Sequence, residues 1–289
     1  MSFTSFEFIV PSAYDGKSVK DFLRKYAALS SRSLILSKYN AFGIIRNGEQ
    51  LKTIDRVYEN DIITVTLPNE QNDIIPVEGA LDILYEDDRL LLINKPPFMP
   101  VHPTKKHQED TLANIVSFYQ RQQGESYTFR ALNRLDKDTS GIVMIVKDRI
   151  AYGILSGKVS KEYTAVCEGV IEESGTIDMP IALKEGSKII RETSSGGLSA
   201  VTHYQPIRSN GYHTLLNVVL ETGRTHQIRC HLSAIGHPLA GDDLYGGSRK
   251  LISRQALHLR KMSFHHPFTG EELIIETPIP EEFLNIFNL

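Results

Sequence analysis

The chain has little of what would mark a secreted, membrane-spanning or metal-bound protein. Its two cysteines, Cys167 and Cys230, stand far apart. They offer neither a disulfide framework nor the paired spacing of a zinc site, which suits a reducing cytoplasm. No apolar run is long enough to span a bilayer, so no membrane is expected as a partner. The opening Met1-Ser2-Phe3-Thr4-Ser5-Phe6-Glu7 lacks a charged segment followed by an apolar one, so no signal peptide is expected and the cytoplasm is. His226, His231, His258, His265 and His266 have no helical or finger spacing, so no metal is expected and other roles are preferred for them. No Walker lysine follows a glycine loop, and residues 241–247 carry acids where a phosphate loop needs Gly-Lys. No Gly-x-Ser-x-Gly elbow, repeat or low-complexity tail occurs. A net charge of −3 argues against indiscriminate binding of polyanions but leaves room for local basic patches. What is present is ordinary globular composition over 289 residues, enough for one large domain or two smaller ones with a core.

Taken in order, Phe3 to Pro11 alternates loosely and predicts an edge strand. Val19, Phe22 and Leu23 recur at helical spacing within Ser18 to Tyr26, among Lys17, Lys20, Arg24 and Lys25. Ser30-Ser31 offers an N-cap for a second helix with Leu34, Ile35 and Leu36. Arg46-Asn47-Gly48 reads as a hairpin turn, and Val57 to Leu67 as a closing strand. Asn69 to Glu78 is polar, with Pro68 and Pro76 at its ends, and reads as a linker. The expected division is therefore 1–68, a linker over 69–79, and 80–289.

In the larger part, Ile83-Leu84-Tyr85 and Leu90 to Ile93 suggest a hairpin ended by Lys95-Pro96-Pro97. Thr111 to Gln123 is periodic as a helix capped by Asp110 or Thr111, and Thr225 to Ile235 as a helix stopped by Gly236 and Pro238. Strand-like runs recur at Ile142 to Val146, Ala165-Val166, Ala200 to Thr202, Leu215 to Leu220 and Leu273 to Ile275. Many strands and few helices, not strictly alternating, predict an α+β fold on a mixed or antiparallel sheet. Arg130 to Thr139 is a polar loop feeding the β-branched run, with Thr139-Ser140-Gly141 favouring a tight turn. Asp136 thus sits on a loop held by a rigid strand, and reads either as a turn residue or as a reactive carboxylate.

Arg134-Leu135-Asp136-Lys137-Asp138-Thr139-Ser140-Gly141 before a strand resembles the catalytic motif of the RluA family of RNA pseudouridine synthases. Further blocks similar to the family's occur in its order across most of the chain. They are Asn94-Lys95-Pro96-Pro97 with Val101-His102-Pro103, Lys161-Glu162-Tyr163, and Glu221-Thr222-Gly223-Arg224-Thr225-His226-Gln227-Ile228-Arg229. Next come Gly241-Asp242-Asp243-Leu244-Tyr245-Gly246, and Ala256-Leu257-His258-Leu259 with Phe264-His265-His266-Pro267. The N-terminal order of two short helices, an Asn-Gly hairpin and a closing strand is similar to the S-four-like (alpha-L) RNA-binding module. Ser31-Arg32 and Asn47-Gly48 match its pattern; Asn60-Asp61 replaces its usual Gly-Asp, and Asn tolerates positive φ. The resemblance implies a pseudouridine-synthase catalytic domain over 80–289, on a mixed, largely antiparallel sheet, with a small α+β RNA-binding domain before it.

The activity implied is isomerisation of specific uridines to pseudouridine in structured RNA. The N-glycosidic bond breaks, the uracil turns, and it rejoins ribose through C5; no cofactor is called for. The family's assignments place the nucleophile or base at Asp136. A carboxylate in a partly dry pocket stays ionised most easily beside a cation. The family supplies it from Gln-Ile-Arg, here Arg229, expected as a bidentate partner. Arg224 is the rival, ranked lower and given a phosphate or structural role. Tyr163 inherits stacking on the turned uracil, with its hydroxyl assisting proton removal from C5. Lys161 reads as a phosphate contact or a surface lysine. Extruding a paired base costs roughly a few kcal/mol, and Arg134 inherits the role of stacking in its place. The family usually has His before this arginine, whereas Asn133 stands here. Arg32 is expected to contact RNA from the N-terminal module. Ribosomal RNA of the large subunit is favoured, because that module resembles those of ribosomal-RNA enzymes; transfer RNA is the second reading. A monomer is expected. A catalytically silent RNA-binding protein and a carboxylate hydrolase are the competing classes. The hydrolase wants a second acid, and Asp138 is a poor one.

Overall fold

The structure, a computed structural model, describes residues 3–38, 43–68 and 73–288. At the N-terminus Ser18 starts α1 (Val19–Lys25) by accepting the Asp21 N–H, and α1 buries Val19, Phe22 and Leu23 on one stripe. Ser30 accepts the Ser33 N–H at 3.0 Å and so starts α2 (Ser31–Lys38). β1 (Phe3–Ile9), β2 (Ile44–Arg46), β3 (Glu49–Gln50) and β4 (Ile62–Pro68) form an antiparallel sheet in the order β1-β4-β2-β3. Asn47 and Gly48 have φ of 50° and 89°, the two left-handed positions of a tight hairpin turn. The closing strand begins at Ile62, later than the expected Val57. Tyr58 and Asp61 close a turn there instead, the Tyr58 N–H on Asp61 Oδ2 and the Asp61 N–H on the Tyr58 carbonyl, with Asn60 left-handed at 65°.

Of the expected linker, residues 69–72 lie outside the described residues. Residues 73–78 have no regular structure but are held against α3 (Leu112–Gln122). Ser117 and Asn114 donate to the carbonyls of Ile74 and Ile75, at 3.0 and 2.8 Å. Thr111, one of the two expected caps, opens α3.

The remaining strands are β5 (Ile83–Glu86), β6 (Leu90–Lys95), β7 (Ser140–Val146), β8 (Ser160–Glu168), β9 (Gly175–Asp178), β10 (Ile181–Leu183), β11 (Arg191–Thr193), β12 (Val201–Ser209), β13 (His213–Leu220), β14 (Leu257–His265) and β15 (Glu272–Glu276). Apart from the small β10–β11 hairpin they make one sheet, ordered β5-β6-β7-β14-β8-β13-β12-β9, with β15 on β14. Only the β7–β14 pairing in it is parallel, so the sheet is mixed and largely antiparallel. All seven residues of β7 are buried. Gly141 has φ 114°, and a Cβ there would stand 2.3 Å from the Leu259 carbonyl oxygen. Only glycine lets β7 approach β14 at this point.

Three further α-helices lie among the described residues: α4 (Arg149–Leu155), α5 (Gln227–Ala234) and α6 (Glu281–Asn285). Asp148 caps α4 by accepting from the Ile150 and Ala151 amides. Ile150 and Ile154 of α4 pack into the apolar core of the N-terminal sheet and helices. Among the described residues no helix is long and apolar enough to cross a membrane.

Candidate active site

Asp136 to Thr139 form a turn closed by the Thr139 N–H on the Asp136 carbonyl at 3.1 Å. The back of that turn is held by buried side chains. Lys95 Nζ donates to the carbonyls of Pro96, Met99 and Lys137 at 2.8, 2.8 and 3.2 Å. Arg254 gives Nη1 to the Asp138 carbonyl and Nη2 to Ser140 Oγ, both at 3.1 Å, with Nε on Glu282 at 2.8 Å. Gln255 donates to Thr139 Oγ1 at 3.2 Å. His258 joins Ser140 Oγ to Thr277 Oγ1 at 2.8 and 2.6 Å. Burial, then the Arg254 charge, pushes Lys95 down to about 7, against Asp138 and Asp136. Burial, then the charges of Arg254 and Arg260, pushes His258 down to about 4, so its ring is neutral. Asn133 donates to the Ile142 carbonyl and accepts the Met144 N–H, at 2.9 and 3.0 Å. One amide side chain thereby ties the loop to β7, using its donor and its acceptor together.

The front of the turn is open. The Asp136 side chain is 31% exposed, and its Oδ2 accepts from Arg229 Nη1 at 2.9 Å. This contact is single, where a bidentate pair was expected. Arg229 spends its Nε–Nη2 edge on Asp242, at 2.7 and 2.8 Å. The physical reason is burial: Asp242 is 1% exposed and needs a two-toothed cation more than the half-open Asp136 does. The Tyr245 ring lies 5.0 Å from the guanidinium carbon. Burial works against the Arg229 charge, but Asp242 and Asp136 overcome it and raise its proton affinity, so it is a fixed cation between two carboxylates.

Arg229 is aimed by the loop before α5. Gln227 Oε1 accepts from Thr222 Oγ1 and from the Arg224 amide, both at 2.9 Å, while its Nε2 donates to the Val201 carbonyl. His226 takes a left-handed conformation, φ 56° and ψ 23°, and α5 starts from it. The structure therefore brings Arg229 to Asp136. Arg224 instead gives Nε to the Ser199 carbonyl at 3.0 Å.

A cleft of about 530 Å³ opens beside Asp136, lined among others by Arg134, Lys161, Tyr163, Arg224 and His226. Tyr163 is buried on β8, and burial, with the Asp136 charge second, raises its hydroxyl, so it holds its proton. Burial lowers Lys161. Arg134 is exposed at the cleft. Arg32 does not line it; it is exposed on α2, near Arg149, whose proton affinity falls through burial and then through the Arg32 charge. Sequence reasoning quoted Lys95, Asp242 and Tyr245 within family-like blocks but gave them no role, and it passed over Arg254 and the place of His226 beside Asp136. A charged residue closing an apolar strand, as Lys95 does, or following a glycine inside a family-like block, as Asp242 does, was the available signal. Among the described residues no group of His, Cys, Asp and Glu is arranged to hold a metal.

A sequence profile of the RNA pseudouridylate synthase family matches residues 89–234. The chain is 38% identical to an RNA pseudouridine synthase of Bacillus subtilis, YhcT, named as uncharacterized, over 97% of this chain and 95% of that protein. It is 33% identical to ribosomal large subunit pseudouridine synthase D of Pseudomonas aeruginosa, over 97% and 94%. Among solved structures it resembles human RNA pseudouridylate synthase domain containing 1, with TM-score 0.55 and 25% identity, over 70% of this chain and 86% of that one.

Proposed function

We infer the function from a premise that these likenesses supply: the chain belongs to the RluA family of RNA pseudouridine synthases. It is an enzyme that isomerises uridine to pseudouridine in RNA. We propose ribosomal RNA of the large subunit as the substrate. The relative from Pseudomonas aeruginosa that carries that name aligns with almost the whole chain, the N-terminal sheet and helices included.

The residue roles are proposals that rest on the geometry of the cleft. Asp136 is the reacting carboxylate, attacking C1′ or removing the C2′ proton. One of its oxygens is held by Arg229; the other takes no hydrogen bond among the described residues and is left for the ribose. That half-held carboxylate is the observation that carries the reading. Arg229 keeps the charge in place and Asp242 keeps Arg229 in place. Tyr163 offers its ring as the platform for the uracil. Its buried hydroxyl keeps its proton, which favours stacking and donation over removal of the C5 proton. Arg134, exposed at the rim, fills the place of the extruded base, and Lys161 and Arg224 hold phosphate. Residues 1–68 and 80–289 are read as an RNA-binding unit and a catalytic unit joined by 69–79, with Arg32 an RNA contact of the first. A cytoplasmic monomer fits a cleft built from one chain and two buried, unpaired cysteines.

Release of labelled hydrogen from C5 of uridine in RNA tests the reading. The wild type is expected to release it with no free uracil. Asp136→Asn keeps shape but removes charge, and turnover should fall to background while RNA binding persists. Free uracil would indicate a hydrolase, binding without release a silent relative, and substantial turnover by Asp136→Asn a different carboxylate.

A further inference from the structure

His226 occupies a position that neither its helix nor its backbone explains. Its side chain makes no capping bond to α5. Its left-handed backbone suits Gly or Asn better than a ring, and such strain persists where something else holds it. What holds it is a chain of contacts running to Asp136. Nδ1 lies 3.0 Å from Tyr245 Oη, and Nε2 lies 3.6 Å from Asp136 Oδ2. Tyr245 Oη also receives the Arg191 N–H at 2.9 Å.

The carboxylate facing Nε2 and the phenol facing Nδ1 together assign the tautomer. The phenol has one hydrogen, and with an N–H arriving from Arg191 that hydrogen is free to go to His226 Nδ1. A neutral imidazole accepting at Nδ1 carries its own hydrogen on Nε2. The groups facing the ring are Asp136, Arg229, Asp242, Arg191 and Tyr245. Burial, first, and the charges of Arg229 and Arg191 favour the neutral ring; Asp136 and Asp242 oppose them, and the net shift is downward. The donor on Nε2 therefore points toward the carboxylate, slightly beyond hydrogen-bond length.

We propose that His226 is a positioning residue for the isomerisation, its Nε2–H acting as a second donor to Asp136 that closes when substrate fills the cleft, with Tyr245 setting the tautomer. This rests on Asp136 being the reacting carboxylate. A single donor from Arg229 leaves the carboxylate plane free to swing. A second donor, arriving from the left-handed turn before α5, fixes which oxygen faces the ribose, and productive geometry tolerates only a small misalignment.

Steady-state kinetics on RNA, with pH profiles of kcat, test it. His226→Asn tolerates the left-handed backbone but withdraws the donor from Asp136. His226→Gln keeps an N–H near the Nε2 position. Removing one charge-assisted hydrogen bond should lower kcat about tenfold in His226→Asn. KM should move far less, since the contact aims the carboxylate and does not itself hold RNA. The acid limb of the profile should move to higher pH, as for any carboxylate stripped of a donor. His226→Gln should recover most of both effects. Tyr245→Phe, which keeps the ring against Arg229, should give a smaller change in the same direction. In the His226→Asn background it should add nothing. Equal losses in His226→Asn and His226→Gln, an unmoved acid limb, or additive effects of Tyr245→Phe would overturn the proposal. If His226→Asn does not fold, the limb in Tyr245→Phe and the activity of His226→Gln still decide it. Turnover by Asp136→Asn strikes the assignment of the carboxylate itself; inactive Asp136→Asn beside indifferent His226 variants strikes only this inference.

Discussion

Arg32 stands exposed on α2, whereas Arg229 on α5 is 6% exposed and wedged between two carboxylates. The contrast extends to their surroundings. Lys17, Lys20, Arg24 and Lys25 are exposed around the N-terminal helices, and Lys25 meets Asp21 in an ion pair exposed on both sides. Such pairs contribute little, and such charges act through a field that salt screens. Around Asp136, Lys95, Arg229, Arg254 and Asp242 are all buried, and each has partners at bonding distance. Charges of that kind fix geometry and cost much to disturb. One region can attract an RNA strand without dictating where an atom sits; the other places a carboxylate and contributes little at long range. Association and chemistry should therefore respond to different perturbations.

The largest expected effect lies in the buried region. Arg229→Met keeps most of the stem but leaves Asp242 buried without a cation, which costs about 3–5 kcal/mol. The Asp136 side chain loses the donor that holds it, and kcat should fall roughly a hundredfold or more, as when a reacting group is misplaced. Arg229→Lys restores charge but not the fork that serves Asp242, so stability should recover more than rate. Urea unfolding and single-turnover rates separate the two. RNA affinity at saturating pH and fixed salt should barely move; a variant that loses affinity but keeps its rate would break the contrast.

The division of labour between sequence and structure follows the same line. Elements with a local signal were legible: the Ser30 and Thr111 caps, the Asn47-Gly48 turn, the apolar run Ile142 to Val146 of β7, and the helix ended by Gly236. β14 was not read as a strand although it lies inside the sheet, because His258, Arg260, Lys261 and His265 interrupt its apolar pattern. α4 is short and contains Gly153, and its reason for being a helix is tertiary, the seat of Ile150 and Ile154 in the N-terminal core. Within the site, motif order singled out Asp136, Tyr163 and Arg229 because the reaction names their chemistry. Asp242, Lys95 and Arg254 act through those residues or through the backbone, and no reaction scheme points to them. Only the fold shows that Arg229 has its fork turned toward Asp242.

A smaller effect, and one confined to residues 80–289, is the dependence of stability on pH. His258 is pushed down to about 4 in the folded chain by burial and then by the charges of Arg254 and Arg260. An unfolded imidazole titrates near 6.5. Between those values the unfolded chain binds a proton that the native one refuses. The contribution is present in full above about 6.5 and is lost as pH falls toward 4, at up to about 1.4 kcal/mol per pH unit. His102, His226 and His231 are lowered as well, each first by burial, and add to the slope in the same sense. Residues 1–68 contain no histidine and add no imidazole to it. Urea midpoints between pH 7 and 4.5 should decline, and His258→Gln should flatten the curve. An unchanged slope in that variant would mean that the ring is charged in the native state, contrary to its burial beside Arg254 and Arg260.

The smallest effect belongs to Arg32. Arg32→Ala removes an exposed cation, so folding should be unaffected and no buried carboxylate is orphaned. If Arg32 contacts one phosphate, the slope of log affinity against log salt should become shallower by about one. Affinity should fall only a few-fold at physiological salt, where the Debye length is about 8 Å and neighbouring cations share the field. KM should rise in proportion while kcat at saturating RNA holds, because no group near Asp136 has moved. Arg229→Met should show the reverse pattern, a lost rate with an unaltered salt slope. Should Arg32→Ala lower kcat at saturation and leave the slope untouched, the exposed helix would be shaping the site through the seat of α4 on the N-terminal core, and binding and chemistry would not be separable in this chain.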